Sequence, residues 1–408
     1  MLKKIHVDQL SLGMYIHEFC GSWMDHPFWK AGFVLQEPKD LATTLASNIR
    51  QVWIDTSKGK DLPSEELAIS ESESDTHRHL HLQDLLEAGE DTATVSMAQE
   101  MERAVKICAQ SKQAVISMFQ EARMGKSIDR RVSAQLVSEI TLSVTRNPSA
   151  LISLARLKTT DDYTYMHSVA VCALMVSLSH QLGLTVEQTR DAGLAGLLHD
   201  VGKMAIPLEV LNKKGGLTDA EFALIKTHAV EGHRMLRTGS EPNPVVLEVC
   251  LHHHEKMDGS GYPHGLKGDE ISLFAKMGAV CDVYDAITSN RPYKTGWDPS
   301  EALQKMADWA KGHFDPRVFQ AFVRTLGIYP VGSLVRLSSE RLGVVVEQSG
   351  KSLTQPKVKV FFALATKDRI APVVVDLSQA DGTEKIVGRE DPNKWRFADL
   401  HALWGHPG

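Results

Sequence analysis

The chain has 408 residues, 43% of them hydrophobic and 24% charged, which is long for one core and places it among soluble globular proteins of about two or three domains. A net charge of −6 excludes the electrostatic footprint of a nucleic-acid binder, while a small anionic substrate needs only a local group of cations. Five scattered cysteines lack zinc-finger or redox spacing, the start MLKKIHVDQL lacks a signal-peptide core, and the longest apolar stretch, Val169–Leu178, is far short of the ~20 residues of a membrane span, so a cytoplasmic protein is expected.

Residues 1–57 read as a small β-rich unit. IHVDQL and GMYIHEF alternate apolar and polar residues about Gly13, and GFVLQ and QVWIDT repeat the pattern on either side of the helix-like DLATTLASNIR. Residues 58–94 are acidic and Ser-rich, the composition of a flexible linker. The HRHLH within it has metal-binding residue types, but a tract of this composition lacks the surroundings that fix ligands. Residues 95–158 carry two helical apolar repeats, one ending at Gly125 and one stopping before Pro148. They read as a helical connector that pairs within the chain or across a homodimer. Residues 159–328 form a helical domain, and 329–408 a β-rich C-terminal unit with strand-like SLVRLSSERLGVVVEQ, KVKVFFAL and APVVVDL.

The chemistry concentrates in the helical domain, at His167, His199, Asp200, His228, His253, His254 and Asp282. Imidazoles and carboxylates in this number suit a pair of divalent transition metals. His167 shares a helix face with Val171, Leu174 and Leu178; His199 shares one with Ala192 and Ala195; His253 and His254 continue the stripe of Val246, Val249 and Cys250; Asp282 continues that of Ala275, Gly278 and Ala279. A single histidine so placed is more often a hydrogen-bonded core residue. Seven chemically matched side chains on buried faces point to metal, because a buried Asp is costly unless paired or coordinated.

The flanking residues add detail. Gly202 of HDVGK lets the chain turn, and Lys203 beside the pair is a candidate phosphate clamp. Thr218 with Glu221 is a capping box, which places His228 inside the helix that starts there. HHEKMDGSGYP sets a glycine-rich turn with Gly261, Tyr262 and Pro263 directly after two candidate ligands, where a substrate would meet metal. Arg291 and Lys294 follow Asp282 past a helix end set by Pro292, which suits a second phosphate.

HDVGK, HHE-x2-DGSGYP and DVYDAITSNRPYK together closely resemble the HD-GYP family of metal-dependent phosphohydrolases, over about residues 155–325. The resemblance implies an all-helical catalytic domain, hence a mainly α protein with small β-rich units at both ends. It implies hydrolysis of cyclic di-GMP to pGpG, GMP or both through a metal-bridging hydroxide. It maps the metal ligands onto His167, His199, Asp200, His228, His253, His254 and Asp282. Lys203 and Asp200 then act in catalysis, and Asp161, Arg291 and Lys294, with the loop at Gly261, Tyr262 and Pro263, bind substrate. Some members hold a third metal with a glutamate where this chain has Tyr163, so two metals are expected, iron or manganese first and other transition metals such as zinc as alternatives. SWMDHPFWKAGF and VWIDTSKG resemble the small domain that often precedes HD-GYP domains. A GGDEF-type protein and a second copy of the chain are the protein partners considered, with no DNA, RNA or membrane partner. The alternatives are a cyclic di-GMP receptor with little turnover and a hydrolase of another cyclic dinucleotide.

Overall fold

The computed structural model describes residues 2–20, 33–45, 50–61, 94–126, 128–156, 163–213, 215–238, 242–289, 296–349, 352–379, 384–395, 397, 400 and 402–405. They divide into two units, residues 1–93 and 94–408.

In the first unit, β1 (Leu2–His6), β2 (Tyr15–Cys20), β3 (Phe33–Val34) and β4 (Gln51–Asp55) form an antiparallel sheet in the order β1-β4-β2-β3. Helix α1 (Pro38–Leu45) connects β3 to β4. The alternation expected of these strands places Ile5, Ile16, Val52 and Ile54 in one core with Val7, Leu10, Met14 and Leu35. Gly13 takes φ +95° at the turn between β1 and β2, where the Lys60 side chain packs against it.

The second unit opens with α2 (Met97–Arg123), α3 (Arg130–Arg146) and α4 (Pro148–Arg156). Ser96 caps α2 in a capping box with Gln99, and Asp129 caps α3. Arg146 donates two hydrogen bonds to the fully buried Glu100, at 2.8 and 2.9 Å, and so ties α3 to α2. These helices pack on α5 (Tyr163–Gln181) and α6 (Val186–Leu198). Helix α5 is buried along almost its whole length, and α6 meets it closely. A Cβ on Gly196 would stand 2.9 Å from the Val171 carbonyl oxygen, so only glycine permits this approach.

A 3₁₀ turn, Val201–Ala205, leads to α7 (Leu208–Leu211), α8 (Asp219–Lys226), α9 (His228–Arg237), α10 (Pro244–His252), α11 (Leu273–Thr288), α12 (Pro299–His313) and α13 (Pro316–Leu326). Side chains of Thr218, Asn243, Ser272, Asp298 and Asp315 cap α8, α10, α11, α12 and α13. The expected helix through His228 is interrupted. Helix α8 ends at Lys226, and His228 begins α9.

The chain ends in β5 (Leu334–Leu337), β6 (Arg341–Glu347), β7 (Lys357–Ala363), β8 (Asp368–Asp376) and β9 (Ile386–Arg389), an antiparallel sheet in the order β8-β7-β6-β5-β9. One cluster of its apolar side chains, Leu334, Leu342, Phe361 and Phe362, is covered by Trp395, Phe397, Leu400 and Leu403, and a second gathers Val335, Leu337, Val345, Val358 and Val360. Arg156 of α4 donates to the Val331 carbonyl at 3.0 Å and lies over the Trp404 ring, which holds this sheet to the helices. The molecule is thus mainly α with a small sheet near each end, as expected. No helix among the described residues is long and apolar enough to cross a membrane.

Candidate metal centre

Five segments of the second unit converge on one buried point. Helix α5 brings His167, the end of α6 brings His199 and Asp200, the start of α9 brings His228, the end of α10 brings His253 and His254, and α11 brings Asp282. All seven candidates fall within three overlapping groups, His228–His253–His254, His167–His199–Asp282 and His199–Asp200–His253, whose donor atoms lie within 4.8 Å of one another in each group. All are buried except the partly exposed His254.

The adjacent pairs work differently from two neighbours within a helix. His199 and His253 are C-cap residues, and Asp200 and His254 lie beyond the helical ends. Neighbours within a helix diverge by ~100°. The turn at the helix end instead lets both members of each pair reach the same centre. Oδ2 of Asp200 lies 3.4 Å from Nε2 of both His167 and His199, while Oδ1 lies 3.4 Å from His228 Nε2 and 3.9 Å from His253 Nε2. One carboxylate therefore stands between two sets of imidazoles. Asp282 faces His167 Nε2 at 3.0 Å with one oxygen and His254 Nδ1 at 3.8 Å with the other.

The backbone sets which ring nitrogen points inward. Nδ1 of His199 donates to the Gly196 carbonyl at 2.7 Å, that of His228 to Ile225 at 2.7 Å, and that of His253 to Val249 and Cys250 at 3.0 and 3.1 Å. A helical carbonyl three or four residues back is the natural acceptor, and each bond leaves Nε2 as the unprotonated nitrogen aimed at the cluster.

Electrostatics favour the charge states a metal requires. Burial opposes ionisation of Asp200, but Lys203 and His199 outweigh it and hold the carboxyl well below the usual range. Burial likewise opposes ionisation of Asp282, and the hydrogen bond from His167 with the neighbouring imidazoles outweighs it. Burial pushes His253 and His228 down and takes His254 to about 3, so these three stay neutral. His167 differs: against burial, bonds to Asp200, Asp282 and Asp285 raise it to about 10. Carboxylates that hold a proton on this imidazole hold a metal cation there equally well, with release of the proton.

The donor set fits divalent metal. Among the described residues His199 Nε2 and Asp200 Oδ1 are buried without a hydrogen-bond partner, and such atoms in a polar centre are accounted for by a coordinated cation. A family model described as "HD domain" matches residues 97–318, and one described as "Domain of unknown function (DUF3391)" matches residues 2–132. The cyclic di-GMP phosphodiesterase PA4108 of Pseudomonas aeruginosa is 54% identical over 99% of this chain and 96% of its own length. The chain belongs to the HD-GYP branch of the HD-domain family. Two further relatives match a smaller part. The cyclic di-GMP phosphodiesterase response regulator RpfG of Xanthomonas campestris is 43% identical over 36% of this chain and 39% of its own length. The 3'3'-cGAMP-specific phosphodiesterase 1 of Vibrio cholerae is 37% identical over 40% of this chain and 38% of its own. Divalent-metal binding follows from the HD domain.

The other HD-GYP motif residues frame this centre. The Lys203 ammonium is paired with Oδ2 of Asp200. Tyr262 stacks on the His254 ring at 4.7 Å between centroids, and a cis bond joins it to Pro263. A Cβ on Gly261 would meet the backbone of Glu255 and Lys256 at 2.5 Å, so the loop folds directly onto the segment that follows His254. Asp161, Arg291 and Lys294 lie outside the described residues, as does HRHLH.

Two residues of the site were missed by reasoning from sequence. Asp285 accepts from His167 Nδ1 at 2.6 Å, and its spacing of three residues from Asp282 on one helix was a usable signal. Glu255 is buried and accepts from the backbone N–H groups of His264, Gly265 and Leu266 at 2.7, 3.1 and 3.1 Å, which closes the GYP loop. An acidic residue directly after the histidine pair was its only mark.

Proposed function

We propose that this protein is a cytoplasmic phosphodiesterase that hydrolyses cyclic di-GMP to pGpG, GMP or both, using two divalent metals, iron or manganese. The observation that carries the reading is the Asp200 carboxylate, whose two oxygens face two different sets of histidines. The full-length relative named a cyclic di-GMP phosphodiesterase supports the same substrate. The cGAMP-specific relative supports a second reading, hydrolysis of a mixed cyclic dinucleotide, over a smaller part of the chain.

His167, His199, Asp200, His228, His253, His254 and Asp282 would hold the metals, with Asp200 shared between them. When bound, the metals supply Lewis acidity that activates water near neutral pH and polarises phosphoryl oxygens. The protein's own contribution is position and charge. Burial excludes bulk water from one side of the cluster and strengthens each charge interaction there. Lys203 balances Asp200 and is placed to attract a phosphoryl oxygen. Asp161, Arg291 and Lys294 would read the distal nucleotide, with Gly261, Tyr262 and Pro263 at the edge of the site. Burial pushes the thiols of Cys172, Cys250 and Cys281 up, which leaves them un-ionised and unsuited as nucleophiles. Pairing with a second copy through the helices of residues 95–158, or with a GGDEF-type protein, belongs to this proposal as well.

Turnover of cyclic di-GMP by anaerobically purified protein with added Mn²⁺ or Fe²⁺ tests the reading, with 3'3'-cGAMP assayed alongside. Binding of cyclic di-GMP without turnover would make the protein a receptor. Asp200→Ala is expected to lose most bound metal and all hydrolysis while its helical content is retained. Full activity in a metal-poor Asp200→Ala protein would refute the shared-ligand role.

A further inference from the structure

The rim of the cluster carries a cation that the metal centre does not use. Lys226 is the last residue of α8, two residues before His228. Its ammonium lies 4.6 Å from the centroid of the Phe222 ring, one turn back on the same helix, and 5.2 Å from the centroid of Tyr262. Tyr262 in turn stacks on His254. Lys226 is therefore one aromatic ring removed from a residue of the cluster. Among the described residues it makes no ion pair, whereas Lys203, Lys213 and Lys276 are paired with Asp200, Glu221 and Asp315. Ring faces orient an ammonium without neutralising it. Phe222 remains 47% exposed, so the ring beside the cation stands open to solvent or to a ligand. A prepositioned point charge of this kind suits a phosphate. Its position outside the ligand set suits a phosphate other than the one at the metals.

We propose that Lys226 is a substrate-binding residue, clamped by Phe222 and Tyr262 to take the phosphate of the cyclic dinucleotide that is not being cleaved. The assignment rests on the phosphodiesterase reading above. It adds a cation from α8 to the distal contacts proposed for Arg291 and Lys294.

The test compares Lys226→Met, which keeps the apolar stem, with Lys226→Arg, which keeps the charge, in the full metal-loaded chain. Lys226→Met should raise KM for cyclic di-GMP about tenfold or more, the loss expected of one charge-assisted bond. Its kcat should change less than about threefold, because the contact is made equally in ground and transition states. Metal content should be unchanged, and Lys226→Arg should restore most of the KM. Bis(p-nitrophenyl) phosphate has one phosphate, so the penalty there should be much smaller. An unchanged KM in Lys226→Met would overturn the assignment. So would loss of metal, or equal losses with both esters, since those outcomes would make Lys226 a support for His228 or the Tyr262 loop. Hydrolysis of the generic ester with no turnover of any cyclic dinucleotide by the unaltered protein would instead sink the cyclic-dinucleotide reading, and this contact with it.

Discussion

His167 reaches the cluster with Nε2 because Asp285 accepts from Nδ1. In His199, His228 and His253 a backbone carbonyl accepts from Nδ1 for the same purpose, whereas the acceptor for His167 is a charged carboxylate. A carboxylate both fixes the ring and makes it a stronger donor to metal. Asp285→Asn keeps the volume but removes the charge, and it is expected to weaken metal affinity by about 10–100-fold with helical content intact. Metal titration against a competing chelator measures this; an unchanged affinity would reduce Asp285 to a packing residue. Glu255 plays a comparable role for the loop, since three N–H groups converge on one buried carboxylate.

The separation of the Val201–Ala205 turn from α9 depends on two glycines. A Cβ on Gly202 would stand 1.9 Å from the His228 carbonyl oxygen and 2.4 Å from the Gly232 nitrogen, and both obstacles are backbone. The value of Gly202 is this close approach, more than the turn that HDVGK was expected to need. It sets the distance between the segments that carry Asp200 and His228. Gly202→Ala must push α9 away and should destabilise the protein by about 2–3 kcal/mol. Thermal unfolding of the metal-free protein should then show a Tm lower by about 3–5 °C. An unshifted Tm would mean that α9 yields without cost. The metal-free comparison separates this effect from any loss of bound metal.

Across the whole chain, the cluster joins segments from His167 to Asp282, so metal binding and the stability of this unit are linked. Every candidate ligand lies in the unit of residues 94–408. The helices of residues 97–156 pack against α5 and α6 within that unit, and the HD match begins at residue 97. The acidic residues 62–93 lie outside the described residues, and their composition does not favour a part in catalysis. Deletion of residues 70–90 is therefore expected to leave turnover within a few-fold. A collapse of turnover with metals still bound would show that this segment contributes to the site.

The amino-acid sequence determined the helices, most of their ends and the seven candidate ligands. Caps at Thr218, Asn243 and Ser272 act over two or three residues, and apolar faces repeat every turn, so both are visible in a linear string. His and Asp on such faces stand out because burying them is costly without a partner. The tertiary structure alone decided how these residues meet. The break at Thr227, the opposed oxygens of Asp200 and the placement of both pairs at helix ends depend on how separate helices dock. The bond between His167 and Asp285 spans 118 residues. The clamp that holds Lys226 joins α8 to a loop after α10. No local pattern encodes such contacts. They arise where packing brings distant segments within a few ångströms, and that proximity is a property of the folded chain.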